Sequence, residues 1–231
     1  MSIAENVAEI RAKMDAAAKI SGRDPKEILL CAATKMNDAE AVRQAIAAGV
    51  DLCGENRVQE LVQKQKENAY EGAPVHFIGH LQTNKVKQVV GKVDLIQSVD
   101  SLRLLKAIDA EAAKQGIVQD ILLEINIGNE ESKSGFSLDA VESLLTKMGD
   151  FPSIRVRGFM AIPPICQDST ENHKFFQKMY NLSVDIMRKK YDNVCVNILS
   201  MGMSGDFADA IACGSTMIRV GTAIFGARDY S

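Results

Sequence analysis

"VDLIQSVDSLRLLKAIDAEAAKQGIVQDILLEINI", residues 93–127, is the stretch from which the fold can be read. Residues 93–99 read as a strand, and residues 119–127 read as another. Between them "SLRLLKAIDAEAAKQG" reads as a helix capped by Ser101. Strand, helix and strand in that order describe a parallel pair joined by a helical crossover.

The same unit repeats in both directions. Upstream, the strand ending at Lys35 ("ILLCAATK") precedes the helix "DAEAVRQAIAAG", which closes on Gly49. Strand "VDLC", helix "GENRVQELVQKQKE", strand "VHFIG" (75–79) and a short helix "TNKVKQVVG" follow. Downstream come the serine-capped helix "SLDAVESLLTKMGD", strand 154–162, and a long helix with Phe175, Met179, Leu182 and Ile186 on one face. Strand "VCVNILSMG", short helix "DFADAIACG" and strand "TMIRVG" (216–221) complete the series. Ile3, Val7, Ile10 and Met14 mark a helix that precedes the first strand. Eight strands alternating with helices over 231 residues predict an α/β chain, a single (β/α)8 TIM barrel with an extra N-terminal helix. An open doubly wound sheet is the alternative. No linker or low-complexity tract divides residues 1–231, which are read as one domain.

Composition narrows the function. The chain is 46% hydrophobic with a formal net charge of −3, and Lys85, Lys87 and Lys92 read as a solvated helix face, so no nucleic-acid partner is expected. The N-terminus lacks the apolar core of a signal peptide, and no stretch reaches the length of a membrane span. Cysteines 31, 53, 166, 195 and 213 are odd in number and carry no C-x-x-C, which suits reduced thiols and a cytoplasmic protein; Cys31 and Cys195, in strands, read as packing residues. His76 and His80 lie four apart on a strand, roughly 13 Å from one another, and predict no metal site. His173 reads as solvent-facing.

In a barrel of this type chemistry collects at the carboxyl ends of the strands, with phosphate held after strands 7 and 8. The unusual residues fall there: Lys35 after strand 1, "GEN" (54–56) after strand 2, "GH" (79–80) after strand 3, "SMGMSGD" (200–206) after strand 7 and "GT" (221–222) after strand 8. Ser200 and Ser204 offer hydroxyls, Gly202 and Gly205 allow close backbone approach, and Gly221 and Thr222 add a second small turn; together they read as a phosphate cradle. Arg219, a charge inside the last strand, must be paired, either with Glu124 or with a ligand in the mouth. Asn56 reads as a helix cap or a pocket residue, and His80 as a pocket or plain loop residue. A rim lysine facing a phosphate cradle across the mouth suggests pyridoxal 5′-phosphate (PLP) bound as a Schiff base. That chemistry needs a neutral amine on Lys35, while an arginine at the pyridine nitrogen would restrain the cofactor as an electron sink.

"AATK" (32–35), "GENRVQE" (54–60), "HFIGHLQTNK" (76–85), "SKSGF" (132–136), "RGFMAI" (157–162), "SMGMSGDFADAI" (200–211) and "STMIRVGTAIFGARDY" (215–230) carry a resemblance over nearly the whole chain. It closely resembles the YggS/PROSC family of PLP homeostasis proteins, single barrels similar to the alanine racemase N-terminal domain. The resemblance implies Lys35 as the PLP-bearing lysine, Ser200, Ser204, Gly221 and Thr222 as phosphate contacts, Arg219 beside the pyridine nitrogen, and Asn56, His80 and Met201 lining the pocket. "MNDAEAV" after Lys35 lacks a proline often found there in relatives.

Racemases of this fold use a second base, a tyrosine from a further C-terminal domain supplied across a dimer. Here Ser231 follows Gly221 by ten residues, and Tyr230 is not an obvious replacement. The expectation is therefore a monomeric, non-enzymatic PLP-binding protein that contributes to PLP homeostasis and hands the cofactor to apo-enzymes. The alternative is a low-activity PLP-dependent amino-acid racemase or lyase; a phosphosugar aldolase fits the barrel but not the motifs. Lys133 is read as ordering the loop after strand 5, with transfer of PLP by transimination as the other reading.

Overall fold

The computed structural model describes residues 1–130, 133–164 and 169–226; Cys166 and Tyr230 lie outside the described residues. Its eight strands are β1 (Leu29–Ala33), β2 (Leu52–Glu55), β3 (Val75–Phe77), β4 (Leu95–Val99), β5 (Gln119–Ile125), β6 (Ile154–Ala161), β7 (Val194–Ser200) and β8 (Met217–Val220). All pair in parallel, each with the next, and β8 returns to β1 through Leu29↔Met217 to Ala32↔Val220. The sheet is a closed barrel, not the open alternative.

The helices are α1 (Ile3–Ile20), α2 (Ala39–Ala47), α3 (Val58–Lys66), α4 (Leu102–Gln115), α5 (Leu138–Leu145), α6 (Ser169–Met187), α7 (Phe207–Ala212) and α8 (Thr222–Phe225). Between β3 and β4 the connection is a 3-10 helix, Thr83–Gln88, where the sequence suggested an ordinary short helix. Ser101 caps α4 as read, accepting the Leu104 N–H, and Gly116 ends that helix in the left-handed conformation. At α1, Ser2 and Glu5 form a reciprocal capping box, and Val7, Ile10, Met14 and Ala18 are buried.

Alternation along the strands divides the core into two parts. Outward strand residues such as Ile121, Leu123 and Phe159 share one cluster with Val42, Leu61, Ile108 and Met179 of the surrounding helices. Inward residues fill the barrel with two small groups, Cys31, Leu52 and Met217, and Leu95, Leu122 and Met160, both meeting Ile198. Above this apolar plug, toward the strand carboxyl ends, the inward positions turn polar: Gln97, Glu124, Ser200 and Arg219. The change is what places a site there.

Two surface readings change. Cys31 is buried, but Cys195 is exposed on a part of β7 that packing does not cover. His173 is half-exposed rather than simply solvent-facing: Nε2 lies 3.2 Å from Asp209 Oδ1 and Nδ1 3.3 Å from Cys213 Sγ, tying α6 to α7. Among the described residues no His/Cys/Asp/Glu cluster could hold a metal, and no helix is long and apolar enough to cross a membrane.

Candidate functional site

β1 ends at Ala33, so Lys35 stands two residues beyond the strand, half-buried in the turn that leads to α2. Its neighbours are held from below. Thr34 is fully buried; its hydroxyl donates to Glu55 Oε1 at 2.5 Å, and its carbonyl accepts from Lys64 Nζ at 2.8 Å. Met36 takes a left-handed φ of 63°, and its N–H donates to Glu60 Oε2 at 2.6 Å. The Lys35 carbonyl accepts from Asn37 Nδ2 at 3.0 Å.

Because β8 pairs with β1, the loops after β7 and β8 stand beside the Lys35 turn, not across the mouth from it as the sequence suggested. In the β7 loop Gly202 has φ 94°, and a Cβ there would lie 2.6 Å from Ala210 Cβ, so only glycine lets this chain fold against α7. Asp206 Oδ1 accepts the Met203 N–H at 2.6 Å and closes the loop. Among the described residues, the backbone N–H groups of Ser204, Gly205, Gly221 and Thr222 have no hydrogen-bond partner within the protein. Ser204, Gly205 and Thr222 are exposed. Partnerless amides gathered on neighbouring loops are the donor set of an anion site.

Arg219 forms the floor. It is 5% exposed, and its guanidinium donates to Ser200 Oγ at 2.6 Å and to the Ala161 carbonyl at 3.0 Å, not to Glu124 as one reading had it. Burial lowers its pKa, while Cys31, Glu124 and Asp206 act in the opposite direction. Ser200 Oγ in turn donates to Gln97 Oε1 at 2.7 Å, and Gln97 Nε2 donates to His76 Nδ1 at 2.8 Å. Arginine can only donate, so the polarity of the whole chain follows from that end. His76 must therefore be neutral with Nδ1 bare, consistent with a pKa that burial pushes down to about 4.

Two of the expected site residues have other work. Ser200 is fully buried with its hydroxyl engaged by Arg219 and Gln97, so it braces the arginine instead of offering an open phosphate contact. Met201 is fully buried in the layer between barrel and helices, its N–H donating to the Met217 carbonyl, and presents no surface to the mouth. Asn56 does not cap α3, which begins after Arg57 without a side-chain cap; its Oδ1 is buried and lacks a partner among the described residues. His80 is 64% exposed on its side chain, with Nδ1 3.1 Å from Asp100 Oδ2. Lys133 pairs with Glu130 and donates to the Pro163 carbonyl at 3.4 Å, which joins the β5 loop to the β6 loop as the loop-ordering reading expects.

The sequence reading missed the support beneath Lys35. Glu60 and Lys64 look like an ordinary i,i+4 surface pair, yet Lys64 is 5% exposed. No local signal announced it, because Glu55 was read as lying after strand 2; the structure buries its carboxylate at the end of β2, where it requires a cation. Glu124 was read only as a partner for Arg219. It is half-buried on an inward position at the end of β5, and burial followed by Asp100 raises its pKa.

A closed parallel barrel with a half-buried lysine next to loop amides free of protein partners presents, at the strand carboxyl ends, the elements of a site for a small anionic ligand. The sequence profile described as "Alanine racemase, N-terminal domain" matches residues 2–229. A pyridoxal phosphate homeostasis protein of Escherichia coli is 40% identical over 232 residues, covering 99% of this chain and 98% of its own. The Aquifex aeolicus protein of that name is 38% identical over 230 residues, with all of both chains covered. PipY of Synechococcus elongatus, solved with PLP bound, superposes with a TM-score of 0.84 at 31% identity, covering 97% of this chain and 100% of its own. The chain belongs to the pyridoxal phosphate homeostasis proteins, within the alanine racemase N-terminal-domain family.

Proposed function

We propose that this protein binds PLP at the mouth of the barrel, holds it through a Schiff base on Lys35, and serves cellular PLP homeostasis and delivery to apo-enzymes without strong catalysis of its own. The observation that carries this reading is the set of four partnerless amides on the β7 and β8 loops beside the Lys35 turn. The residues fit the ligand: the amides suit a phosphate, the buried Asn56 Oδ1 has no donor among the described residues, and Lys35 supplies an amine within the same rim.

Bound PLP supplies an aldehyde for an amine to capture and a ring that withdraws electrons from what is attached to it. The chain's own residues do the rest. Ser204, Gly205, Gly221 and Thr222 would hold the phosphate, the Ser204 and Thr222 hydroxyls adding donors to the backbone set. Ser200 fixes Arg219, a positive donor and not an acid–base group, which would face the ring of the bound cofactor and would disfavour its protonation. Asn56 and His80 border the pocket on the β2 and β3 loops. The protein acts as a cytoplasmic monomer.

A second reading, a slow PLP-dependent racemase or lyase, has Glu124 in its favour, a carboxyl at the mouth that is easier to protonate than usual. The described tyrosines, 70, 180 and 191, belong to helices or to the segments that follow them and not to the rim loops. Without a positioned second base, turnover should fall by about 10²–10⁴-fold relative to an enzyme that has one. The test is amino-acid racemisation and decarboxylation by PLP-loaded protein, together with transfer of its PLP to an apo-enzyme. The account expects transfer with negligible turnover; fast turnover lost in Lys35→Ala would replace carrier with enzyme.

A further inference from the structure

One buried ammonium, Lys64, together with its partner Glu60, holds the backbone on both sides of Lys35. Lys64 has three protons and finds three acceptors: the Thr34 carbonyl at 2.8 Å, Glu55 Oε1 at 2.5 Å and Glu60 Oε2 at 3.4 Å. Glu55 Oε1 also takes the Thr34 hydroxyl, so residue 34 is held at both its side chain and its carbonyl. On the other side Glu60 Oε2 accepts the Met36 N–H at 2.6 Å. Met36 needs that support, because φ 63° is strained for any residue with a Cβ. Lys64, with its donors saturated, is not itself available as a nucleophile.

We infer that Glu60 and Lys64 are positioning residues for Lys35. Acting through the backbone of Thr34 and Met36, they set the direction from which its amine meets a bound aldehyde. The inference rests on the reading of Lys35 as the amine that links to PLP. In that step the amine nitrogen adds to the aldehyde carbon, a C=N bond replaces C=O, and the oxygen leaves as water with both amine protons. A turn that has lost its grip misdirects the amine but leaves the phosphate loops, on other strands, as they were.

The test compares PLP with pyridoxine 5′-phosphate, which carries an alcohol where PLP has the aldehyde and cannot form the link. Wild type, Glu60→Ala, Glu60→Gln and Lys35→Ala are titrated with both ligands, and the rate at which the imine absorption band appears is followed. Wild type should bind PLP more tightly than pyridoxine 5′-phosphate, and Lys35→Ala should abolish the difference. Glu60 is partly exposed, so its variants should fold, which circular dichroism checks. Lys64→Met, which strands the buried Glu55, is expected to fold poorly and is not relied on.

In Glu60→Ala the affinity for pyridoxine 5′-phosphate should stay at the wild-type value, while the PLP advantage and the band's rate fall about tenfold or more. Glu60→Gln keeps an acceptor oxygen for the Met36 N–H and should recover part of both. Wild-type PLP advantage and rate in Glu60→Ala would overturn the inference, as would equal loss of affinity for the two ligands. If wild type itself shows no PLP advantage and no borohydride-fixed adduct on Lys35, the underlying reading of Lys35 has failed, and this inference with it.

Discussion

The polar chain His76–Gln97–Ser200–Arg219 shows how single side chains set the floor of the site. Its direction is fixed at the arginine, so the far end must be a bare imidazole nitrogen. Burial holds the His76 pKa at about 4, below the unfolded value of 6.5. The folded protein thus binds fewer protons at this site than the unfolded chain between those values, and stability falls as pH drops through that window. The full contribution is present above pH 6.5, and acidification to pH 4 and below should remove roughly 3 kcal/mol of it. Denaturant unfolding of wild type and His76→Gln from pH 4 to 7 checks this; the variant should show a flatter profile. Lys35 and Arg219 were legible in the sequence because a charge in or at the end of a core strand demands a role. The bracing role of Ser200 was not legible, because its partner Gln97 lies 103 positions away and no local pattern reveals the bond between them.

At the level of elements, two glycines carry the geometry. In β6, Gly158 has φ 144°, and a Cβ there would approach the Ile198 carbonyl oxygen to 1.8 Å, where the register between β6 and β7 shifts. Gly158→Ala should therefore destabilise the fold by about 3 kcal/mol or more, read as a lowered denaturation midpoint. Gly202 shapes the β7 loop instead. Gly202→Ala should leave the barrel folded and weaken pyridoxine 5′-phosphate binding roughly ten- to hundredfold, the worth of one or two charge-assisted hydrogen bonds. The alternation of strands and helices was legible because the apolar period recurs along the chain, but the caps were only partly so: Ser101 caps α4 as read, whereas Ser137, also read as a cap, makes no such bond at α5. Strand ends were not legible: Gly54 and Glu55 continue β2 by pairing with His76 and Phe77, a tertiary decision that no turn residue announces.

Over the whole molecule, closure decides the site. The seam between β8 and β1 puts the Lys35 turn next to the loop after β8, and α1 lies behind it, packed on α2, α7 and α8. Val7, Ile10, Met14 and Ala18 join Ile211, Ile218 and Ile224 in a separate core cluster under that seam. The extra N-terminal helix is thus part of what holds the loops after β1, β7 and β8 together. Ile10→Ala should cost about 2–4 kcal/mol of stability, measured by denaturant unfolding, and a smaller loss would mean the seam closes without it. A sequence shows eight units but not which neighbours touch on closing, which is why the lysine was expected opposite the cradle and is found beside it.

The central claim is that Lys35, and not the other lysines near the rim, carries the cofactor. Protein incubated with PLP, reduced with borohydride and digested should yield one modified peptide, with the added mass on Lys35 and none on Lys64 or Lys133. Lys35→Ala should show no reduced adduct and no imine band. A stable adduct on Lys133 or Lys64 in wild type, or an unchanged band in Lys35→Ala, would contradict the account.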